Sequence, residues 1–314
     1  MPFQVSPGVN VSEIDLTTVI PAVSTSIGAF AGISTWGPAD VSTLVTSEDD
    51  LKEQFGKPNN NTAVDFFTAA NFLGYTNALR FVRVTSSDMK NAADHADGAT
   101  LINNDESFDI SPPTANTFYA KYAGQNGDKL TIELCDHAGD NTSGSGFEGW
   151  WPNTYFSEGP GTSQYVAEKG GTGDELHIAI IDSNTGFFSG TANAVLELYP
   201  FLSAASDAKN DAGESNYFKE VINQKSKYIR IADPDVSLGV STYGTSADVT
   251  TTFANTASGI FSRKLSGGAD GPSTFTAGEY NLAYDHFNDP DQEDVSLILA
   301  GSGGAGISSE SDKV

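Results

Sequence analysis

One cysteine, Cys135, stands in 314 residues, so no disulfide can form within the chain. It falls on an expected strand from Lys129 to Asp136. An unpaired thiol without an activating base or electropositive setting behaves as a small packing residue. Basic residues are scarce too: 16 Lys and Arg stand against 41 Asp and Glu, a formal charge of −25. A surface of that sign repels phosphate backbones and anionic lipid, which removes nucleic acid and membrane surfaces from the expected partners. No apolar run approaches the length of a membrane-spanning helix, and the N-terminus lacks the basic and apolar regions of a signal peptide. A chain made and kept in a cytoplasm, with no membrane anchor, is expected. His95, His137, His177 and His286 lie far apart, without the close pairing of helical or hairpin zinc sites, and read as surface or partly packed residues. No metal, no cofactor and no catalytic residue is expected.

Three patterns look chemical and fail on context. Asp94-His-Ala-Asp97-Gly98 opens like a calcium loop but lacks the spaced third oxygen ligand and the closing Glu. Gly301-Ser-Gly303-Gly-Ala-Gly306 follows an apolar strand and fits G-x-G-x-x-G. Dinucleotide binding would need a helix after it and an acidic residue about twenty positions on, yet the sequence stops at Val314, so a small-residue turn is expected. Carboxylate pairs for glycoside hydrolysis can be picked at will among so many acids, and none stands out.

What is plentiful is Gly, Ser, Thr, Asn and Asp, which predicts many short strands and turns with a modest set of helices, in about two domains. The N-terminal segment up to Val23 carries Pro7 and Pro21, which resist helix, and places Val9, Val11 and Glu13 on one face of a strand, accompanied by Val5, Ile14, Leu16 and Val19. Such a segment is too short and polar to form a core. It suits addition to the open sheet edge of a neighbouring subunit, and it also suits a first strand of its own domain or a frayed terminus.

After this arm, Ile27, Ala29, Ala31 and Ile33 alternate with Gly28, Phe30 and Gly32, predicting a buried strand whose glycines admit another backbone; Trp36-Gly37-Pro38 ends it. Ser47 with Asp50 starts a helix that buries Leu51 and Phe55 and stops at Gly56 and Pro58. Thr62 with Asp65 opens a second, in which Ala63, Phe66, Phe67, Ala70 and Leu73 recur at helical spacing up to Gly74. A strand from Leu79 to Val84, with Arg80 and Arg83, completes a strand-helix-helix-strand unit.

Ser6-Pro-Gly-Val-Asn-Val-Ser-Glu, Ser24-Thr-Ser-Ile-Gly-Ala-Phe-Ala-Gly, Trp36-Gly-Pro-Ala, Val45-Thr-Ser-Glu-Asp-Asp-Leu, Phe55-Gly-Lys-Pro, Ala69-Ala-Asn-Phe-Leu and Leu79-Arg-Phe-Val-Arg-Val, in this order, resemble the N-terminal part of the contractile tail sheath proteins of phages. Tyr122-Ala-Gly-Gln-Asn-Gly-Asp-Lys-Leu and Leu265-Ser-Gly-Gly-Ala-Asp-Gly are similar to elements of T-even-like sheaths. The resemblance implies a non-enzymatic structural subunit that polymerises helically around a tail tube and contracts to drive that tube through the host envelope. Its implied partners are neighbouring sheath subunits, the tail tube protein, the baseplate and the tail terminator. Its implied place is the virion, after assembly in the host cytoplasm. Val5, Val9, Val11, Glu13, Ile14, Leu16 and Val19 become the inter-subunit arm.

The expected class is mixed α/β (α+β): a sheath-type core built from residues 24–84 and 285–306, an inserted β-rich α/β domain, and the arm. By segment this means an arm at 1–23, the first half of the core at 24–84, a protruding insert at 85–275, a return to the core at 276–306, and a polar tail at 307–314. Within the insert, Ser86 to Pro113 reads as a surface excursion; the resemblance implies that the further outer β-domain of T-even-like sheaths, whose place Thr85 to roughly Phe118 takes, is absent. Leu130, Ile132 and Leu134, and Leu176, Ile178 and Ile180, predict strands that each offer one apolar face. Between them, Ala138 to Ser163 carries Phe147, Trp150, Trp151, Tyr155 and Phe156, read as a satellite core under a long loop; a glycan-gripping surface is the alternative, and with it an adhesive virion module. Tyr217, Phe218, Val221 and Ile222 mark a helical face after Ser215, and Tyr228 to Ile231 a strand. Thr276 with Glu279 opens a helix burying Tyr280, Ala283, Tyr284 and Phe287, followed by a strand from Val295 to Ala300. Sheaths continue well past that strand, so the ending Ile307 to Val314 is expected to be a truncation or a different close to the fold.

Overall fold

A strand buried on both sides needs a layer on each face, and the small-large alternation around Phe30 receives one on each. The structure is a computed structural model and describes residues 26–139, 146–183, 186–291 and 293–301. Its first elements are β1 (Gly28–Gly32), β2 (Ser42–Val45), α1 (Glu48–Phe55), α2 (Ala63–Leu73), β3 (Leu79–Arg83), β4 (Met89–Lys90), α3 (Asp105–Ile110), β5 (Phe118–Ala120) and β6 (Leu130–Cys135). Then come α4 (Gln164–Glu168), β7 (Glu175–Asp182), β8 (Ala194–Ser203), α5 (Phe218–Lys225), β9 (Ile229–Ile231), α6 (Pro234–Leu238), β10 (Ile260–Lys264), β11 (Ala269–Asp270), α7 (Ala277–Tyr284) and β12 (Leu297–Leu299). The mixed α/β class is as expected.

One sheet has the order β12-β1-β3-β2. β1 runs parallel to both neighbours, with Gly28 opposite Leu79 on one side and Leu297 on the other. Phe30 joins Leu51, Phe55, Phe66 and Phe81 under α1 and α2, whereas Ala29 and Ala31 meet Tyr280, Ala283 and Phe287 of the α7 side. That division accounts for the complete burial of β1. Gly28 serves a different neighbour from the one expected: a Cβ there would lie 2.3 Å from the Phe72 ring, so a side chain of α2, not a second backbone, requires the glycine. β2, antiparallel to β3, extends the strand-helix-helix-strand unit by a strand the sequence did not signal.

The helix signals meet mixed outcomes. Ser47 Oγ accepts from Asp50 N at 3.1 Å and α1 ends at Gly56 with φ +81°. Thr62 makes no side-chain cap; Asn59 Oδ1 instead accepts from the backbone N–H groups of Asn61 and Thr62. Asp65 turns inward, because its carboxylate accepts from Ile33 N and Tyr280 Oη and so ties α2 to β1 and α7. Phe67, expected inside, is 54% exposed. Adjacent Phe66 and Phe67 cannot both face one layer, and Phe66 takes the inner position.

Ser86 to Pro113 is not a surface excursion. Met89, Asn91, Ala92, Ala93, Ile102 and Phe108 are buried in it. Its polarity is spent internally: Asn91 Nδ2 donates to Ala120 O and Asn91 Oδ1 accepts from Ile102 N, bonds that let polar side chains occupy a core.

The second large sheet, antiparallel throughout, has the order β10-β6-β7-β8. Contrary to one apolar face per strand, β6 and β7 are buried on both. Leu130, Ile132, Leu134, Leu176, Ile178 and Ile180 enter the largest cluster; Cys135, Ala179 and Ile181 meet Trp150 from the aromatic loop. α5 buries Phe218, Val221 and Ile222 as expected, though its N-cap is Tyr217. Thr276 and Glu279 form the expected capping box of α7, with Tyr280 and Ala283 inside.

Candidate functional site

Val5, Val9, Val11, Glu13, Ile14, Leu16 and Val19 lie outside the described residues, as do Ser302 to Gly306 of the glycine run. Among the described residues, a sheet edge is the feature that could take up an extended segment. A receiving edge must be a strand with one free side, held firmly on the other.

β12 meets both conditions. It is the terminal strand of its sheet and pairs only with β1 among the described residues. Leu297 and Ile298 are 49% and 60% exposed, an apolar pair on a sheet edge. Three ties hold it: Ser296 N donates to Ile27 O at 2.9 Å, Tyr284 Oη donates to Leu299 O at 2.7 Å, and Arg80 Nε pairs with Glu293 Oε2 at 2.8 Å. Beyond it Gly301 passes so close to Phe30 and Asp65 that a Cβ would meet Asp65 Oδ1 at 2.6 Å. The first glycine of the G-x-G-x-x-G pattern thus has a packing reason.

The sheet is coupled to the rest of the chain through Arg83, a residue singled out only as part of a strand. Its side chain is buried. Nε donates to Ser34 O, Nη1 to Gly37 O and Nη2 to Ala123 O, at 3.1, 3.0 and 2.9 Å. Burial pushes the guanidinium down to about 10, against the opposing pull of Asp270, so it stays charged at neutral pH. Around it, Asn126 Nδ2 donates to Thr35 O, Gln125 N to Asp270 Oδ1, and Gly268 N to Asp128 Oδ1. Tyr122 to Leu130 and Leu265 to Gly271, distant in sequence, are thereby fastened to each other and to the turn after β1.

Several other reactive side chains are committed to structure. Asp182 accepts from the N–H groups of Phe187, Phe188 and Ser189; Asp174 accepts from Ser163 and Ser203; Asp136 accepts from Tyr243 Oη and Thr256 N. Burial pushes the Cys135 thiol up to about 12, which removes its thiolate at neutral pH. His177 is fully buried, not surface-placed: Nδ1 accepts from Phe201 N at 3.0 Å and Nε2 faces Glu158 O at 2.9 Å. That arrangement fixes the neutral Nε2–H tautomer, and burial lowers its pKa. Among the described residues no group of three or more His, Cys, Asp or Glu is arranged to hold a metal ion. Of the aromatic loop, Trp150 is buried with Nε1 donating to Glu133 Oε2 at 3.1 Å, while Trp151 and Tyr155 stay exposed.

Comparison with known proteins places these elements. The family described as tail sheath protein Gp18 domain III, N-terminal region, matches residues 25–84, the span of β1 to β3. The tail sheath protein of Salmonella phage ViI is 31% identical over 195 residues, covering 62% of this chain and 28% of that protein. That of Vibrio phage KVP40 is 42% identical over 102 residues, covering 30% and 15%, and that of Enterobacteria phage T4 is 37% identical over 128 residues, covering 41% and 18%. The chain thus spans less than a third of the length of each. Among solved structures, a sheath tail protein from Listeria innocua aligns with TM-score 0.43 at 12% identity, over 87% of this chain and 40% of that one.

Proposed function

We propose, from the premise that this chain belongs with the tail sheath proteins, that it is a structural subunit of a contractile phage tail sheath, without enzymatic activity. In this reading it polymerises helically around a tail tube, and the polymer contracts to drive that tube through the host envelope. The subunits assemble in the host cytoplasm and end in the virion, where they meet one another, the tail tube protein, the baseplate and the tail terminator. Residues 1–23 act as the arm, with Val5, Val9, Val11, Glu13, Ile14, Leu16 and Val19 adding to a neighbour's sheet. Residues 24–84 and 276–306 form the body that the arms connect, and residues 85–275 the protruding insert.

One observation carries the reading. The span matched by the tail sheath family folds into three strands of a sheet whose terminal strand, β12, has a side left unpaired among the described residues and an exposed Leu297 and Ile298. An arm entering such an edge in the next subunit makes a heterologous contact, which repeats into a ring or an open helix. The commitment of Asp136, Asp174, Asp182 and His177 to loop anchoring supports a structural rather than a catalytic role.

Negative-stain electron microscopy of the purified chain at rising concentration tests the proposal. Hollow tubes that disappear when residues 1–20 are deleted, with the deleted chain still folded, are expected. Tubes that persist after the deletion would remove the arm, and isolated particles at every concentration would remove self-assembly by these residues alone.

A further inference from the structure

In a chain of charge −25, cations are the rarer resource, and they are gathered. Lys52, Lys57, Lys121 and Lys227 line a single cleft of about 380 Å³ with one carboxylate, Glu53. Its wall is aromatic: Trp36 meets Tyr122 and Phe188 edge-on at 5.3 and 5.2 Å, and Phe188 meets Tyr228 at 5.2 Å. Lys52 is tied to Glu48 at 2.7 Å and Asp49 at 3.4 Å, Lys121 Nζ donates to Ser226 O at 2.7 Å, and Lys227 pairs with Glu53 at 3.0 Å, both largely exposed; among the described residues Lys57 has no ion-pair partner and is the cation left for an incoming carboxylate. A cleft lined by lysines attracts carboxylates, and its charge steers an acidic partner into register.

We propose that this cleft receives, from a second copy of this chain, the acidic turn that leads into β12. That turn exposes Asp285, Asp289, Asp291 and Asp294 and carries Pro290. Two features select it. The cleft borders the β2 edge of the core sheet, where Gln54 Nε2 of α1 donates to Leu44 O at 3.4 Å, while the acidic turn precedes the strand at the opposite edge. A contact between opposite edges is heterologous and repeats from copy to copy. Copies with so large a like charge also repel, and a local meeting of opposite charges offsets that repulsion where the bodies touch. The proposal rests on the self-assembly reading, so its test reads the cleft directly.

A fluorescein-labelled peptide of residues 285–296 is titrated with the full chain, kept dispersed, and followed by fluorescence anisotropy at 50 and 300 mM salt. Saturable binding is expected, weakened about tenfold by the higher salt and lost in Lys57→Glu/Lys227→Glu, whose two side chains are exposed. Lys57→Gln/Lys227→Gln provides a milder second variant, and melting curves verify folding of both. No saturable binding, equal binding by the Glu variant, or equal binding of a poly-glutamate of the same charge would overturn the proposal. Microscopy separates the two ideas: tubes from a chain that does not bind the peptide leave the sheath reading standing without this cleft. Peptide binding by a chain that makes no tubes does the reverse.

Discussion

Arg83 Nη2 donates to Ala123 O at 2.9 Å, joining the last residue of β3 to the glycine turn that precedes β6. Together with its bonds to Ser34 O and Gly37 O, this makes one buried side chain the donor for three backbone carbonyls from separate segments. Replacing it by Met keeps the volume and strands those acceptors. Arg83→Met is expected to destabilise by about 3–5 kcal/mol, since each buried orphan costs about 1–3 kcal/mol. Urea unfolding measures this, and a loss below about 1 kcal/mol would contradict the network.

Gly28 and Phe72 form a second coupled pair. A Cβ at residue 28 would sit inside the Phe72 ring contact, so Gly28→Ala is expected to cost about 1–3 kcal/mol by overpacking. Gly28→Ala combined with Phe72→Leu should recover part of the loss. Strict additivity of the two effects in urea midpoints would mean the ring is not what excludes the methyl group.

The neighbouring tryptophans should differ sharply. Trp150→Phe removes the donor to Glu133, itself buried, and is expected to lower stability by about 1–2 kcal/mol. Trp151→Phe, at a half-exposed position, should fall within about 0.5 kcal/mol of the parent. Thermal melts of both variants check the contrast, which similar losses would erase.

His177 gives the fold an acid-sensitive point. Burial holds its folded pKa below the ordinary value of about 6.5, so the unfolded chain takes up the proton first. Above about pH 7 both states hold it neutral and its native contacts count in full. Stability then drops, by up to about 1.4 kcal/mol per pH unit, as the pH falls through 6.5 toward the folded value. His177→Gln, which keeps an acceptor and a donor, is expected to be less stable at pH 7.5 yet flatter between pH 7.5 and 5.5. Parallel pH profiles of urea midpoints for parent and variant would refute this origin.

The contrast between readable and unreadable parts of this fold is one of range. Ser47 and Thr276 announce their helices because a cap and its N–H partner lie within four residues. Phe218, Val221 and Ile222 disclose a buried stripe for the same reason of local periodicity. β2 offers only Ser42-Thr-Leu-Val, and β8 holds Pro200 and two register shifts against β7, so neither carries a clean alternation. Ser86 to Pro113 misleads because Asn91 satisfies backbone groups at residues 102 and 120 that no local pattern connects. The candidate site divides the same way: the strand at β12 is legible as an apolar run, whereas the Arg83 ties and the lysine cleft depend on pairings between distant segments.

The pairing of β1 with β12 also orders events in time. At about 5–20 residues per second of synthesis, the roughly 200 residues between β3 and β12 take some 10–40 s to emerge. The partner of β1 on the side of Leu297 therefore emerges long after its partner on the side of Leu79. The ties from Ile27, Tyr284 and Arg80 that seat β12 close a loop of roughly 200 residues, so completing the core sheet carries the loop-closure cost of a contact far apart in sequence.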